Sequence, residues 1–286
     1  MPESELGNLS TASERLFEEY LTAHGYTDWN HEQPIPGKPT TPDYRLRFGG
    51  TEFCFEVKEF VDDDPLVDGE GDFYDPYRPL REKVNKSARQ FKAYKEFPCS
   101  VVMADPHHTF VDIDAPEIVL GTMLGNVGYQ VPIGVRRGPE NPPKQVFTGG
   151  GKMVDAKRQQ PQNTTINAIV IVSEYPVRLR KLEIALDKRK KELGRSLTTA
   201  EFLAVTGSVP TSNLDSVLRV AVHEHPYARM PLSRDLFRGS FDERWVFDGE
   251  VYRRVYAGDE LRRVEEELEK YDRRSPFQQW LDDRVE

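Results

Sequence analysis

Residues 41–60 read TPDYRLRFGGTEFCFEVKEF, and the expected fold is built outward from them. Two short strand-like runs flank Gly49-Gly50, the signal for a tight hairpin. Side chains alternate faces along an extended strand, so Phe53, Phe55 and Val57 fall on one side and Glu56 and Lys58 on the other. The hairpin carries Asp43, in the first run, across toward them. Two carboxylates and an ammonium at one spot are costly to assemble unless a cation or a substrate compensates them.

Upstream, residues 12–24 predict a helix with Leu16, Phe17, Tyr20 and Leu21 as its apolar stripe. Thr11 with Glu14 fits a capping box at its start, and Gly25 ends it. Residues 27–40 contain Pro34, Pro36 and Pro39, which leaves room for an edge strand at most. Downstream, the acidic stretch 61–79 reads as a surface loop. A helix from about Pro79 to Glu96 follows, and Pro98 stops it. The apolar runs CSVVMAD (99–105), INAIVIVSEY (166–175) and part of LDSVLRVAVHEHPYA (214–228) predict buried strands. Further helices are expected at Pro116–Leu124, 178–193 and 259–274, and the rest of 106–165 is rich in Gly and Pro and reads as irregular hairpins. Strand, helix, strand order implies an α/β layer arrangement: a mixed central sheet flanked by helices. No linker splits the chain, so one domain is expected over 1–286. Its motif region is 12–105, further strands and insertions occupy 106–230, and 231–286 forms a C-terminal elaboration with a charged helix.

The hydrophobic fraction of 37% and aromatic fraction of 10% are those of a folded chain. No apolar run approaches the ~20 residues of a membrane span. The opening MPESELGNLS lacks the regions of a signal peptide, so a cytoplasmic protein without membrane contact is expected. Cys54 and Cys99 lie in apolar runs and, with no CxxC present, read as buried free thiols. A net charge of −9 argues against a non-specific nucleic-acid coat. The charge is uneven, however. Residues 61–77 are acidic without a single Lys or Arg, whereas 78–95 and 178–195 are basic and offer local phosphate-binding faces.

Pro42-Asp43 followed by Glu56-Val57-Lys58 resembles the PD-(D/E)xK motif of the restriction-endonuclease-like nucleases. Glu14-Arg15, apolar residues and then His24-Gly25-Tyr26 are similar to the first helix of archaeal Holliday-junction resolvases, where a helix glutamate joins the metal site. The resemblance covers roughly residues 12–60. It implies a restriction-endonuclease-like fold and a metal-dependent nuclease. It also implies the Val57 carbonyl as a further metal ligand, Glu14 as another, and Gln90 as an accessory group on the helix after the motif strand, with Lys86 and Lys92 as rivals.

Chemistry points the same way. Phosphodiester hydrolysis needs charge stabilised at phosphorus and a water made nucleophilic, and Mg²⁺, with Mn²⁺ as a substitute, does both when held by a few carboxylates. Asp43 and Glu56 are the expected ligands; Lys58 is expected to orient or deprotonate water and to offset transition-state charge. The expected partner is nucleic acid, DNA before RNA, with endonucleolytic cleavage. A homodimer or a protein partner would use the charged C-terminal helix. Two alternatives stay open: a catalytically inactive nuclease-fold subunit that binds nucleic acid or assembles with a partner, and a structure-specific resolvase or ribonuclease. His107-His108 and the pair His223 and His225 read as loop and strand-end histidines rather than ligands, and Gly149-Gly150-Gly151-Lys152 lacks P-loop spacing. The acidic loop is expected to cover the basic face of the 79–96 helix until nucleic acid or a partner displaces it.

Overall fold

Gly49 and Gly50 both take positive φ, 57° and 78°, as a two-residue type I′ turn requires. They close the expected hairpin between strands Tyr44–Phe48 and Thr51–Glu59. A three-residue edge strand, Trp29–His31, pairs with the first of these, so the three are β1, β2 and β3 in chain order. The structure is a computed structural model and describes residues 10–60, 75–107, 112–130, 144–155, 160–209, 216–249 and 251–270. The acidic stretch 61–74, His108, residues 131–143 and the helix end expected at 271–274 lie outside the described residues.

Helix α1, Ala12–Ala23, opens with the expected capping box: the Thr11 hydroxyl accepts from Glu14 N at 3.2 Å and Glu14 Oε2 accepts from Thr11 N at 2.6 Å. After β3 the chain forms α2, Arg78–Gln90, tightens into a 3₁₀ turn at Phe91–Ala93, and enters β4, Cys99–Ala104. Helix α3, Pro116–Leu124, is followed by two small hairpins, β5–β6 (Asn126–Gln130 and Lys144–Thr148) and β7–β8 (Val154–Asp155 and Gln160–Pro161). Next come β9, Ile166–Tyr175, α4, Val177–Leu193, α5, Thr199–Ser208, and β10, Val217–Glu224. The described chain ends with β11, Glu243–Phe247, β12, Tyr252–Ala257, and α6, Asp259–Glu269.

Eight of the strands form one mixed sheet in the order β1-β2-β3-β4-β9-β10-β11-β12. The β3/β4, β4/β9 and β10/β11 pairs are parallel, and the rest are antiparallel. The described part of the 231–286 extension therefore joins the sheet, which it lengthens by two strands, β11 and β12. Both sheet faces are covered. On one, Phe17, Tyr20 and Leu21 of α1 pack on Phe53, Phe55, Val57 and the even-numbered residues of β4 and β9. On the other, Leu80, Val84, Phe91 and Tyr94 of the α2 segment pack with α3 on Cys54, Phe60, Val101 and Met103. The face bearing Glu56 and Lys58 is thus an apolar interior too, in place of the polar face that strand alternation predicts. No helix among the described residues is long and apolar enough to cross a membrane.

Candidate active site on the β2–β3 hairpin

The last pair of the β2–β3 ladder is Tyr44 with Phe55, and β3 then continues beside β4 alone. The site lies where β2 leaves β3. Asp43, one residue before β2, places Oδ2 2.7 Å from the backbone nitrogen of Val57 and accepts its N–H. Its own carbonyl accepts from Glu32 N at 2.8 Å, so Asp43 is held from both sides. A strand residue points its N–H and C=O toward the same neighbour, so the Val57 carbonyl also faces the opening beyond Tyr44.

Lys58 Nζ lies 2.9 Å from Glu56 Oε2 and 3.8 Å from Asp43 Oδ2. The three residues that strand alternation and the hairpin bring together in sequence are brought together in the structure. Their exposure is graded: the Glu56 side chain is 0% exposed, and those of Lys58 and Asp43 are 18% and 21% exposed. Burial, with the Asp43 charge second, pushes the Glu56 carboxyl up to about 7 against the pull of Lys58. Burial also raises Asp43, although Lys58 and the Val57 N–H lower it. One oxygen of Glu56, Oε1, is buried with no hydrogen-bond partner. An unpaired carboxylate oxygen in the interior costs free energy unless a proton or a cation meets it.

Glu14 stands at the margin. Its Oε2 is spent on the cap, its Oε1 lies 3.7 Å from His31 Nε2, and its charge is close enough to raise Asp43. Among the described residues no group of three His, Cys, Asp or Glu side chains is assembled to hold a metal ion, so the carboxylates at the centre are the pair Asp43 and Glu56. Gln90 is half-buried at the last residue of α2, and no hydrogen bond joins it to Asp43, Glu56 or Lys58. Lys86 and Lys92 are exposed on the outer side of that segment.

Two supporting residues have no signal in local sequence. The Tyr94 hydroxyl meets the Thr40 hydroxyl at 2.9 Å and also reaches the Thr40 carbonyl, which pins the chain three residues before Asp43. Tyr94 is fully buried, and the Glu56 charge contributes to its raised pKa after burial and the neighbouring Cys54. Cys54 and Cys99, in register on β3 and β4, share the buried cluster with Tyr94 and are free thiols as expected.

The other candidates are structural. His107 pairs with Glu59 at 3.0 Å. His225 accepts from Tyr227 N at 3.0 Å and meets the Gln162 carbonyl at 2.8 Å; His223 bonds the Tyr252 hydroxyl. A cavity of about 480 Å³ opens at the ends of β4 and β9, lined by Asp105, Asp112, Asp114 and Glu174 among others. Its cations are already engaged: Arg180 with Glu183 at 2.9 Å, and Arg219 with Asp114 at 3.5 Å and Glu243 at 3.6 Å. The charged helix α6 turns Leu261 and Val264 inward and pairs Arg262 with Asp259 and Arg263 with Glu260.

No protein-family model matches the chain, and no curated protein or solved structure matches it either.

Proposed function

We propose that the chain is a metal-dependent nuclease of the PD-(D/E)xK type, acting on DNA as an endonuclease. The observation that carries this reading is Glu56: a fully buried carboxylate with Oε1 unpartnered, placed beside Asp43 and Lys58 at the point where two strands part. A hydrophobic or amide side chain would cost less there if the position served packing alone.

The donor set suits a hard divalent cation. Asp43, Glu56 and the Val57 carbonyl offer oxygens near one another where β2 leaves β3, and Mg²⁺ takes such ligands together with waters and substrate phosphate. Bound there, Mg²⁺ (or Mn²⁺) would supply Lewis acidity toward a phosphodiester oxygen. The chain's own residues do the rest. Lys58, anchored by Glu56, presents an ammonium to the scissile phosphate and takes up or gives a proton at Nζ. Asp43 and Glu56 hold that ammonium in place, and the Tyr94–Thr40 contact holds Asp43. The sheet order β1-β2-β3-β4, with α1 on one face and α2 on the other, agrees with the restriction-endonuclease-like core that the motif implies and supports the reading.

The test is direct. Wild type, Asp43→Ala and Lys58→Ala are incubated with supercoiled plasmid, linear duplex, single-stranded DNA and RNA, each with Mg²⁺, Mn²⁺ or EDTA. Cleavage of plasmid by wild type alone, lost in EDTA, is expected. Absence of metal-dependent cleavage on every substrate would refute catalysis, and cleavage surviving both substitutions would refute the site. A second reading, a non-catalytic nucleic-acid-binding subunit on the same fold, is favoured by the commitment of Glu14 to its cap, which leaves two central carboxylates.

A further inference from the structure

Two segments of the chain are basic, and they differ in degree: among the described residues α4 leaves Lys181 and Lys188 exposed without an ion pair, while the later half of α2 and the turn after it leave a longer row. On α4 and the turn after it, Arg180 pairs with Glu183, Arg189 with Glu192, Lys190 with Asp187 and Arg195 with Glu201. On α2, its 3₁₀ extension and the turn that follows, Lys86, Arg89, Lys92 and Lys95 are all exposed, and none pairs with a carboxylate among the described residues. The opposite side of the same segment is the buried row Leu80, Val84, Ser87, Phe91 and Tyr94. In an α-helix residues three apart drift around the axis, whereas in a 3₁₀ turn they eclipse. The tightening at Phe91–Ala93 therefore limits the drift of Lys92 away from the line of Lys86 and Arg89, and Lys95 follows on the turn beyond it.

From this row we infer that the outer side of α2 is a track for the sugar-phosphate backbone of a nucleic-acid duplex, leading to the Asp43–Glu56–Lys58 site. Lys86 to Lys92 covers roughly 9–12 Å at 1.5–2.0 Å per residue, and one DNA strand presents a phosphate about every 3.4 Å of axis, so these three cations meet about three phosphates and Lys95, on the turn beyond, extends the row toward a fourth. The row ends at the rim of the site. Tyr94 bonds Thr40 at 2.9 Å and Glu96 pairs with Lys38, both on the loop that delivers Asp43. A duplex is favoured over a single strand because Phe91 and Tyr94, the aromatic residues of the segment, are fully buried and offer no surface for stacking unpaired bases. The inference rests on the nuclease reading for the kind of polymer, but not for catalysis.

The experiment uses the full chain in EDTA, so that no turnover intervenes. Binding of a 20-base-pair duplex and of the matching single strand is measured by fluorescence anisotropy from 50 to 200 mM salt. The proteins compared are wild type, the α2 variant K86Q/R89Q/K92Q/K95Q, and a control on α4, K181Q/K188Q. All positions are exposed, and a thermal melt of each checks folding. Every phosphate that a cation no longer neutralises lowers the slope of log affinity against log salt by about 0.9, so the slope of the α2 variant should be shallower by about 3–4. Between 50 and 200 mM salt the wild type should then weaken about a hundredfold more than the α2 variant, with the control like wild type. An α2 variant with the wild-type slope, or a wild type that binds no nucleic acid, would overturn the track. Tighter binding of the single strand would overturn its assignment to duplex. A protein that cuts plasmid while ignoring the α2 substitutions sinks only this inference; one that binds through α2 and never cuts with Mg²⁺ sinks only the catalytic reading.

Discussion

Asp43 and Val57 are joined across the open end of the hairpin: Oδ2 of Asp43 accepts the backbone N–H of Val57 at 2.7 Å, where the β2–β3 ladder has already ended at Tyr44 and Phe55. The carboxylate thus substitutes for a strand residue. It satisfies a donor that the parting of the strands would leave open, and the same geometry turns the Val57 carbonyl into the cleft. One side chain serves both the fold and the site, and substitutions can separate the two roles.

Asp43→Asn keeps an oxygen that can accept from Val57, whereas Asp43→Ala does not. Asn is expected to retain near wild-type stability, while Ala should cost about 1–3 kcal/mol for the stranded donor. Both should abolish metal-dependent cleavage, because neither supplies an anionic ligand. Thermal melts and a plasmid-nicking assay check the pair. Equal destabilisation by Asn and Ala would show that the hydrogen bond is not what Asp43 contributes to the fold.

Glu56 should be a site residue that weakens the fold around it. Its carboxyl titrates at about 7 when folded, above the ordinary 4.5, because burial disfavours the charged form. A raised carboxyl pKa stabilises the fold fully below the unfolded value, and that contribution is lost as pH rises through the folded one. At pH 8 Glu56→Gln removes the disfavoured charge and should raise metal-free stability by up to about 3 kcal/mol, a gain that fades below pH 4.5. Urea melts of both proteins at pH 4 and pH 8 would show it. The same variant should be inactive. A Gln variant less stable than wild type at pH 8 would mean that the Glu56–Lys58 pair repays its burial.

What was legible in the sequence, and what was not, follows from where the signals are local. The α1 stripe, the glycine pair and the apolar runs of β4 and β9 are local patterns, and each became the expected element. Asp43, Glu56 and Lys58 could be brought together on paper because a hairpin turns sequence distance into a known register. Tyr94 and Thr40 could not, since their meeting depends on how α2 packs on the sheet. The burial of Glu56 was hidden for a related reason: alternation identifies opposite faces but not whether a helix covers each of them. Strands β11 and β12 carry Arg244, Arg253 and Arg254 among their apolar residues, and charge at an edge obscured their period. Helix α5 has no buried residue, so it has no stripe, although Thr198 and Glu201 form the same capping box that marks α1.

Two histidines should make the protein acid-sensitive. His223 and His225 are buried, which lowers them to about 3 and about 4 from the ordinary 6.5. A lowered histidine pKa stabilises the fold above 6.5, and the contribution is lost as pH falls toward the folded value, because the unfolded chain takes up the proton first. Each should cost about 2 kcal/mol between pH 7 and pH 5. Glu56 acts in the opposite sense over that range, so the measurement belongs in the Glu56→Gln background. Denaturant melts at both pH values should show a fall of several kcal/mol; a flat profile would place the histidines in contact with water.

Asp242 is expected to be the most sensitive position away from the site. It is fully buried, accepts from Val220 N at 2.8 Å and from Gly239 N, and receives the Tyr20 hydroxyl. These bonds tie α1, β10 and the approach to β11 into one joint, at a position where the sequence shows only an acid in SFDERW. Tyr20 is itself fully buried, and its hydroxyl is raised by burial first and by Asp242 next, so it remains a donor at any working pH. Asp242→Ala leaves three donors without a partner in the interior, and at about 1–3 kcal/mol each, partly relieved by relaxation, the loss should exceed 3 kcal/mol. Tyr20→Phe removes one donor and keeps the ring against Phe237, so it should cost about 1 kcal/mol. A double-mutant comparison then checks the joint: the Tyr20→Phe penalty should vanish or reverse once Asp242 is Ala. If it persists undiminished, the Tyr20 hydroxyl stabilises the fold through something other than Asp242.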